Sequence, residues 1–211
     1  DGRFGLNNIN NYFQDLNNLS VAFHWYEWTY KINDPILFND TKRFPALYNN
    51  LKGKIVDIEK SEDQITFKIE VYKILTALDM NGEFEICSNL DNSTIIKITV
   101  FDNKGGASEE ERELSRMRSI IPFQIAYAVS IHKSQGLEYD SVKIVIPRSN
   151  SDKISHGIFY TAITRAKKKL KLYWHAETMN LVLENIKNNN KKHISLDIIK
   201  QKIYEEKDNE I

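Results

Sequence analysis

The feature that most limits this fold is a run of apolar residues at every second position: Ile65, Phe67, Ile69 and Val71, answered downstream by Ile96, Ile98 and Val100. Side chains of an extended strand alternate between two faces, so this period specifies half-buried strands and excludes helix across both windows. Phe84 and Ile86 continue it, and Asn81-Gly82 and Asp91-Asn92 mark turns between strands. Upstream, Asn33-Asp34-Pro35 turns the chain into a short apolar strand, Ile36 to Phe38; a polar loop from Asn39 to Asn50 then leads to the strand Lys54 to Ile58. So many short strands close together predict a small antiparallel barrel over 55–118. Lys104 to Arg118 reads as a charged connector leaving it.

The flanking segments have a different rhythm. Leu6, Ile9, Phe13 and Leu16 recur at spacings of three and four, which predicts an amphipathic helix over 5–18 with its asparagines outside. The aromatic stretch Phe23, Trp25, Tyr26, Trp28 and Tyr30 follows. After 118, strands over Phe123–Ser130, Val142–Ile146 and Leu170–Trp174 alternate with a helical turn at His132–Leu137 and a helix over Ser155–Ala166. Helices over Thr178–Ile186 and Leu196–Tyr204 end the chain. That alternation predicts an α/β fold: a parallel-sheet domain made from 1–54 and 119–211, interrupted by the barrel at 55–118.

Composition removes several functions. A single cysteine, Cys87, permits neither an internal disulfide nor a cysteine-rich zinc cage, so the chain reads as cytoplasmic. No apolar run approaches the ~20 residues needed to span a bilayer, so no membrane partner is expected. No glycine pair has the G-x-x-x-x-G-K-[ST] spacing, and H-E-x-x-H, C-x-x-C and G-x-S-x-G are missing. Any enzyme chemistry here is therefore part of a site completed elsewhere. Asp1 in place of methionine fits a chain processed or cut from something longer. The net charge is zero but divided: residues 1–140 carry 15 basic against 21 acidic side chains, and 141–211 carry 14 against 8. A polyanion is expected to meet the C-terminal third first.

Two long motifs carry an identification. Ala128-Val-Ser-Ile-His-Lys-Ser-Gln-Gly-Leu-Glu-Tyr-Asp-Ser-Val-Lys-Ile-Val-Ile146 resembles motif V of superfamily 1 helicases, and Phe159-Tyr-Thr-Ala-Ile-Thr-Arg-Ala-Lys-Lys-Lys-Leu170 resembles their motif VI. Upstream, Asp34 to Asp40 and Leu47 to Val56 are similar to the segment entering the small barrel of RecD-like and Dda-like helicases. Gly5 to Asn17, with Asn10 and Gln14, looks like the start of their second motor domain. The aromatic stretch and the barrel sequence depart from the pattern, and Glu138 stands where many RecD-like proteins have Thr and the UvrD-like branch has Glu.

The resemblance implies a RecA-like second motor domain with an inserted Src-homology-3-like barrel. ATP and Mg2+ would be held mainly by an N-terminal RecA-like domain of the same protein, and single-stranded DNA or a DNA fork would be the track. Arg165 would be the arginine finger, since a guanidinium supplied from a second domain stabilises charge on the γ-phosphate. Gln135, Gly136 and Glu138 would touch the nucleotide, and Ser130, His132, Lys133 and Ser134 the DNA backbone, where hydroxyl, imidazole and ammonium are ordinary phosphate donors. On the residues alone, without the motif, Arg165 reads as part of a solvated basic helix end, Gly136 as a plain cap, and Lys167, Lys168 and Lys169 as a lysine run favoured by the helix dipole. The aromatics at 23–30 read as packing more than as a base-stacking platform, because acidic residues surround them. Two other readings fit the motifs: a non-catalytic nucleic-acid or protein-binding adaptor derived from a helicase half, and an RNA helicase of the same superfamily.

Overall fold

The computed structural model describes residues 5–18, 20–39, 42–106 and 108–187, which fall into two compact units, 1–129 and 130–211. The predicted helix at 196–204 lies outside the described residues.

The first unit is built on the alternating strands. β1 (Phe23–Trp25) and β2 (Trp28–Tyr30) make a hairpin. β3 (Pro35–Phe38), β4 (Lys52–Lys60), β5 (Gln64–Val71), β6 (Glu85–Asn89), β7 (Thr94–Phe101) and β8 (Phe123–Ile125) form one antiparallel sheet in the order β6-β7-β5-β4-β3-β8. Register places the predicted apolar residues face to face: Ile65 opposite Val100, Phe67 opposite Ile98, Ile69 opposite Ile96, all fully buried. Phe67 meets Tyr30 and Phe123 edge-on, each with ring centroids 5.1 Å apart. On the outer face Lys68 and Lys97 are register partners; Asp57 and Glu59 pair with Lys68 at 2.7 and 3.3 Å, and Glu85 pairs with Lys97 at 3.2 Å, which offsets the like-charge contact. Gly53 sits where a Cβ would come within 2.9 Å of the Glu70 carbonyl, so β3, β4 and β5 approach this closely only around a glycine.

The closed barrel over 55–118 is not what forms. Closure requires the first and last strands to pair, whereas β6 has a neighbour on one side only and the opposite edge is occupied by β3 and β8, drawn from before and after that segment. The strand expected over 123–130 stops at Ile125 for the same reason: once Ile36 to Phe38 have taken Ile125 to Phe123 as partners, the chain beyond leaves the ladder.

α1 (Leu6–Asp15) forms where the spacing predicts it, with Leu6 and Ile9 half-buried and Asn7, Asn8 and Asn11 exposed, but with its buried face shifted onto two polar residues. Asn10 and Gln14 are its buried residues, while Phe13 and Leu16 are 41% and 59% exposed. The Asn10 amide both donates to the Ala128 carbonyl (3.0 Å) and accepts from the Ala128 N–H (2.8 Å), matching a strand partner. Gln14 donates to the fully buried Asp34 carboxylate, which also accepts from the Lys31 N–H and from the Tyr127 hydroxyl at 2.8 and 2.9 Å. The buried carboxylate is thus multiply hydrogen-bonded, as burial demands.

The charged connector contains a helix, α2 (Glu109–Ser119), closed at its start by a reciprocal Ser108–Glu111 capping box, with three glutamates in the first turn and Arg116 and Arg118 in the last. Buried Arg43 holds its far end, donating to the Met117 carbonyl at 2.8 Å and pairing with Glu83 at 2.6 Å.

The second unit contains β9 (Tyr139–Val145), α3 (His156–Ile163), β10 (Ala166–Tyr173) and a helix over 176–187. β9 and β10 are parallel, the only parallel pair among the described residues. Ile144, Ile146, Ile154, Ala162 and Val182 form a small core, with Phe159 stacked flat on Trp174 at 5.9 Å. The fold is therefore mixed α/β with a predominantly antiparallel sheet.

Candidate functional site

Residues 131–136 make a succession of turns rather than a helix. The Ser134 N–H donates to the Ser130 carbonyl, Gln135 to His132 and Leu137 to Ser134, while the Lys133 N–H donates to the Ser130 hydroxyl. Gly136 has φ +81°, a left-handed conformation that a side chain would strain, and open space where its Cβ would be. With these amides used inside the turn, what the turn shows outward is exposed His132 and Gln135 and the bare backbone of Gly136, with Ser130 and Lys133 half-buried. Ser134 faces the other way, buried, with its hydroxyl donating to the Ile131 carbonyl at 2.7 Å.

Arg165 lies in the two-residue step between α3 and β10. Three nitrogens of its guanidinium are engaged: Nε donates to the Thr161 carbonyl (2.9 Å), Nη1 to the Leu137 carbonyl (2.9 Å) and Nη2 to the Thr164 hydroxyl (3.1 Å). The cation thus caps the carbonyl end of α3 and joins it to the 131–138 turn. The Arg165 carbonyl accepts from the Tyr139 N–H at 2.9 Å, a second link between the same segments.

Glu138 precedes β9 as Arg165 precedes β10, so the two sit at the same end of the parallel pair, where Ala166 is register partner of Tyr139. Lys167 pairs with Glu138 at 3.0 Å, and this hydrogen bond, with lesser help from Arg165, holds the carboxyl below its ordinary value of 4.5. Lys168 pairs with Asp140 at 2.8 Å. Two members of the lysine run therefore face acidic partners. Sequence reasoning missed these pairs and the Leu137 carbonyl; only the Thr161–Arg165 spacing of four was a visible signal.

The structure thus brings Gly136, Glu138 and Arg165 to one end of the second unit, with His132, Lys133 and Gln135 on the adjoining turn. Among the described residues no group of three or more His, Cys, Asp or Glu is placed to hold a metal ion, and no helix is long and apolar enough to cross a membrane.

Residues 125–173, which contain this whole arrangement, match the family model of the UvrD-like helicase C-terminal domain. A RecBCD enzyme subunit RecD from Buchnera aphidicola is 24% identical over 82% of this chain and 23% of its own length. RecD from Mycobacterium tuberculosis is 41% identical over 46 residues, 22% of this chain and 8% of that protein. An uncharacterized protein of Methanocaldococcus jannaschii is 36% identical over 96 residues, 46% of this chain and 7% of its own. The chain therefore spans less than a quarter of the length of these curated relatives. Among solved structures, Bacteroides Pif1 bound to ssDNA aligns over 84% of this chain and 40% of its own at 18% identity, with a TM-score of 0.40. The family match across 125–173, carried by the two motifs, together with the RecD relatives, supports a superfamily 1 helicase C-terminal domain over this part of the chain.

Proposed function

We propose that this chain is the C-terminal motor half of an ATP-dependent DNA helicase, supplying Arg165 as an arginine finger to a nucleotide held mainly by an N-terminal P-loop domain of the same protein. The observation that carries the reading is the Nη1 bond from Arg165 to the Leu137 carbonyl: it puts the motif VI-like cation directly against the motif V-like turn. As a finger, the guanidinium exchanges neutral carbonyl acceptors for phosphate oxygens, and charge-assisted bonds are the stronger kind. In this reading Gln135, Gly136 and Glu138 contact the nucleotide beside Arg165, and Mg2+ and the bulk of the phosphate contacts fall to the P-loop domain. His132, Lys133 and Ser130 are assigned to the backbone of single-stranded DNA, with Ser134 supporting the turn from inside. In this reading 1–54 and 119–211 belong to the motor and 55–118 to an accessory insertion.

The same geometry gives one rival its support. A guanidinium with three protein partners is what a structural brace looks like, as expected of a non-catalytic adaptor. Residues 1–211 alone should hydrolyse no ATP, while the full-length protein should show ATPase stimulated by single-stranded DNA. In the full-length protein, Lys133→Ala should weaken single-stranded DNA binding and reduce the salt slope by about one phosphate contact, roughly 0.7 in log-log units. A full-length protein without DNA-stimulated ATPase would establish the adaptor, and stimulation by RNA in place of DNA would establish the RNA helicase.

A further inference from the structure

At the turn of the β1–β2 hairpin, Tyr26, Glu27 and Trp28 line an open recess of about 590 Å³ with Asp102, Asn103 and Ser119. The hairpin divides its aromatics: Trp25 and Tyr30 go into the core, while Tyr26 and Trp28 are 63% and 54% exposed. Tyr26 is fixed as a wall, its hydroxyl donating to Asp102 and accepting from the Asn103 N–H. Glu27 is exposed beside it. No basic residue lines the recess; nearby, Lys31 is engaged with the Gln14 and Asn17 carbonyls, Lys60 with the His24 carbonyl and Lys104 with Asp63, while Arg116 and Arg118 lie just outside the lining, on the helix that ends at Ser119.

We propose that this recess binds an arginine or lysine side chain presented by a partner polypeptide. Electron-rich ring faces attract a cation, and the carboxylates of Glu27 and Asp102 add the charge that selects it. Exposed rings also stack on bases, but binders of single-stranded nucleic acid surround their rings with positive charge, and two carboxylates without a cation repel a phosphate backbone. The tethered Tyr26 lowers the ordering cost of binding. This surface belongs to the first unit and stands whether or not Arg165 is a finger.

The test is a titration of residues 1–211 with a tetra-arginine peptide, followed by the indole N–H resonance of Trp28, which Trp28→Phe identifies. The signals of Trp25 and Trp174 report that the fold is kept. The expected result is a saturable shift of Trp28, weakened about threefold or more by Glu27→Gln, further by adding Asp102→Asn, and by raising salt to about 0.5 M. The proposal is overturned by an unmoved Trp28 signal, by equal affinity in the carboxylate variants, or by an oligothymidylate shifting Trp28 where the peptide does not.

Discussion

The two units hold their shape by different means. Among the described residues, nineteen buried side chains of the first form one continuous core over an antiparallel sheet, and five of the second stand behind a two-stranded parallel pair whose β10 is largely exposed. Parallel sheets normally have both faces covered; among the described residues the second unit adds to its smaller apolar core the polar links Arg165 to Leu137 and Tyr139 to Arg165. The proposed chemistry lies in the thinner unit. Segments that must exchange partners during function come from the less stable end of a protein, and a cation held by carbonyls can be released in a way that a buried phenylalanine cannot.

The largest effect is expected from Phe67→Ala, which removes the ring at the meeting point of Tyr30 and Phe123 and should cost about 3–5 kcal/mol. Hydrogen exchange should then accelerate throughout β3 to β8 and much less in β9 and β10. Equal acceleration in both would show a single cooperative core and dissolve the contrast. Asn10→Ala comes next: it leaves the Ala128 N–H and carbonyl without those partners and should cost about 1–3 kcal/mol, read as a lower denaturation midpoint. A neutral result would make the burial of polar residues on α1 incidental. The smallest effect is on pH dependence. Burial first, then the bond to Asp34, pushes Tyr127 up to about 12, and burial raises Tyr30 as well. These phenols keep their protons to higher pH when folded than when unfolded, so their contribution is complete below the ordinary value of 10.0 and declines as pH rises beyond it. The urea midpoint should fall between about pH 10 and 12, and less in Tyr127→Phe; identical declines would remove Tyr127 from the account.

The two units also differ in how far they were legible. The apolar partners of β5 and β7 could be read directly, because an alternating run can bury only one face. Closure could not, since it depends on which distant strands take the sheet edges, here β3 and β8. α1 shows the limit of periodicity: spacing reveals that a helix has an apolar face, not which face meets the fold, and the bonds available at Asp34 and Ala128 drew Asn10 and Gln14 inward. The positions of Arg165 and Gly136 were legible from motif order. The pairing of Glu138 with Lys167, 29 positions apart, needed the register of β9 with β10.

The most direct measurement of the central claim is single-turnover ATP hydrolysis by full-length Arg165→Ala, set beside its nucleotide affinity and melting temperature. A finger acts on charge that develops in the transition state, so hydrolysis should fall by about 10³-fold or more while affinity stays within several fold. Losing the bonds to Thr161, Leu137 and Thr164 should lower the melting temperature by only a few degrees, and Arg165→Lys should restore little, because an ammonium lacks the planar fork. Hydrolysis within about threefold of the parent, a difference of less than 1 kcal/mol in the barrier, would contradict the account and leave Arg165 as a brace between α3 and the 131–138 turn.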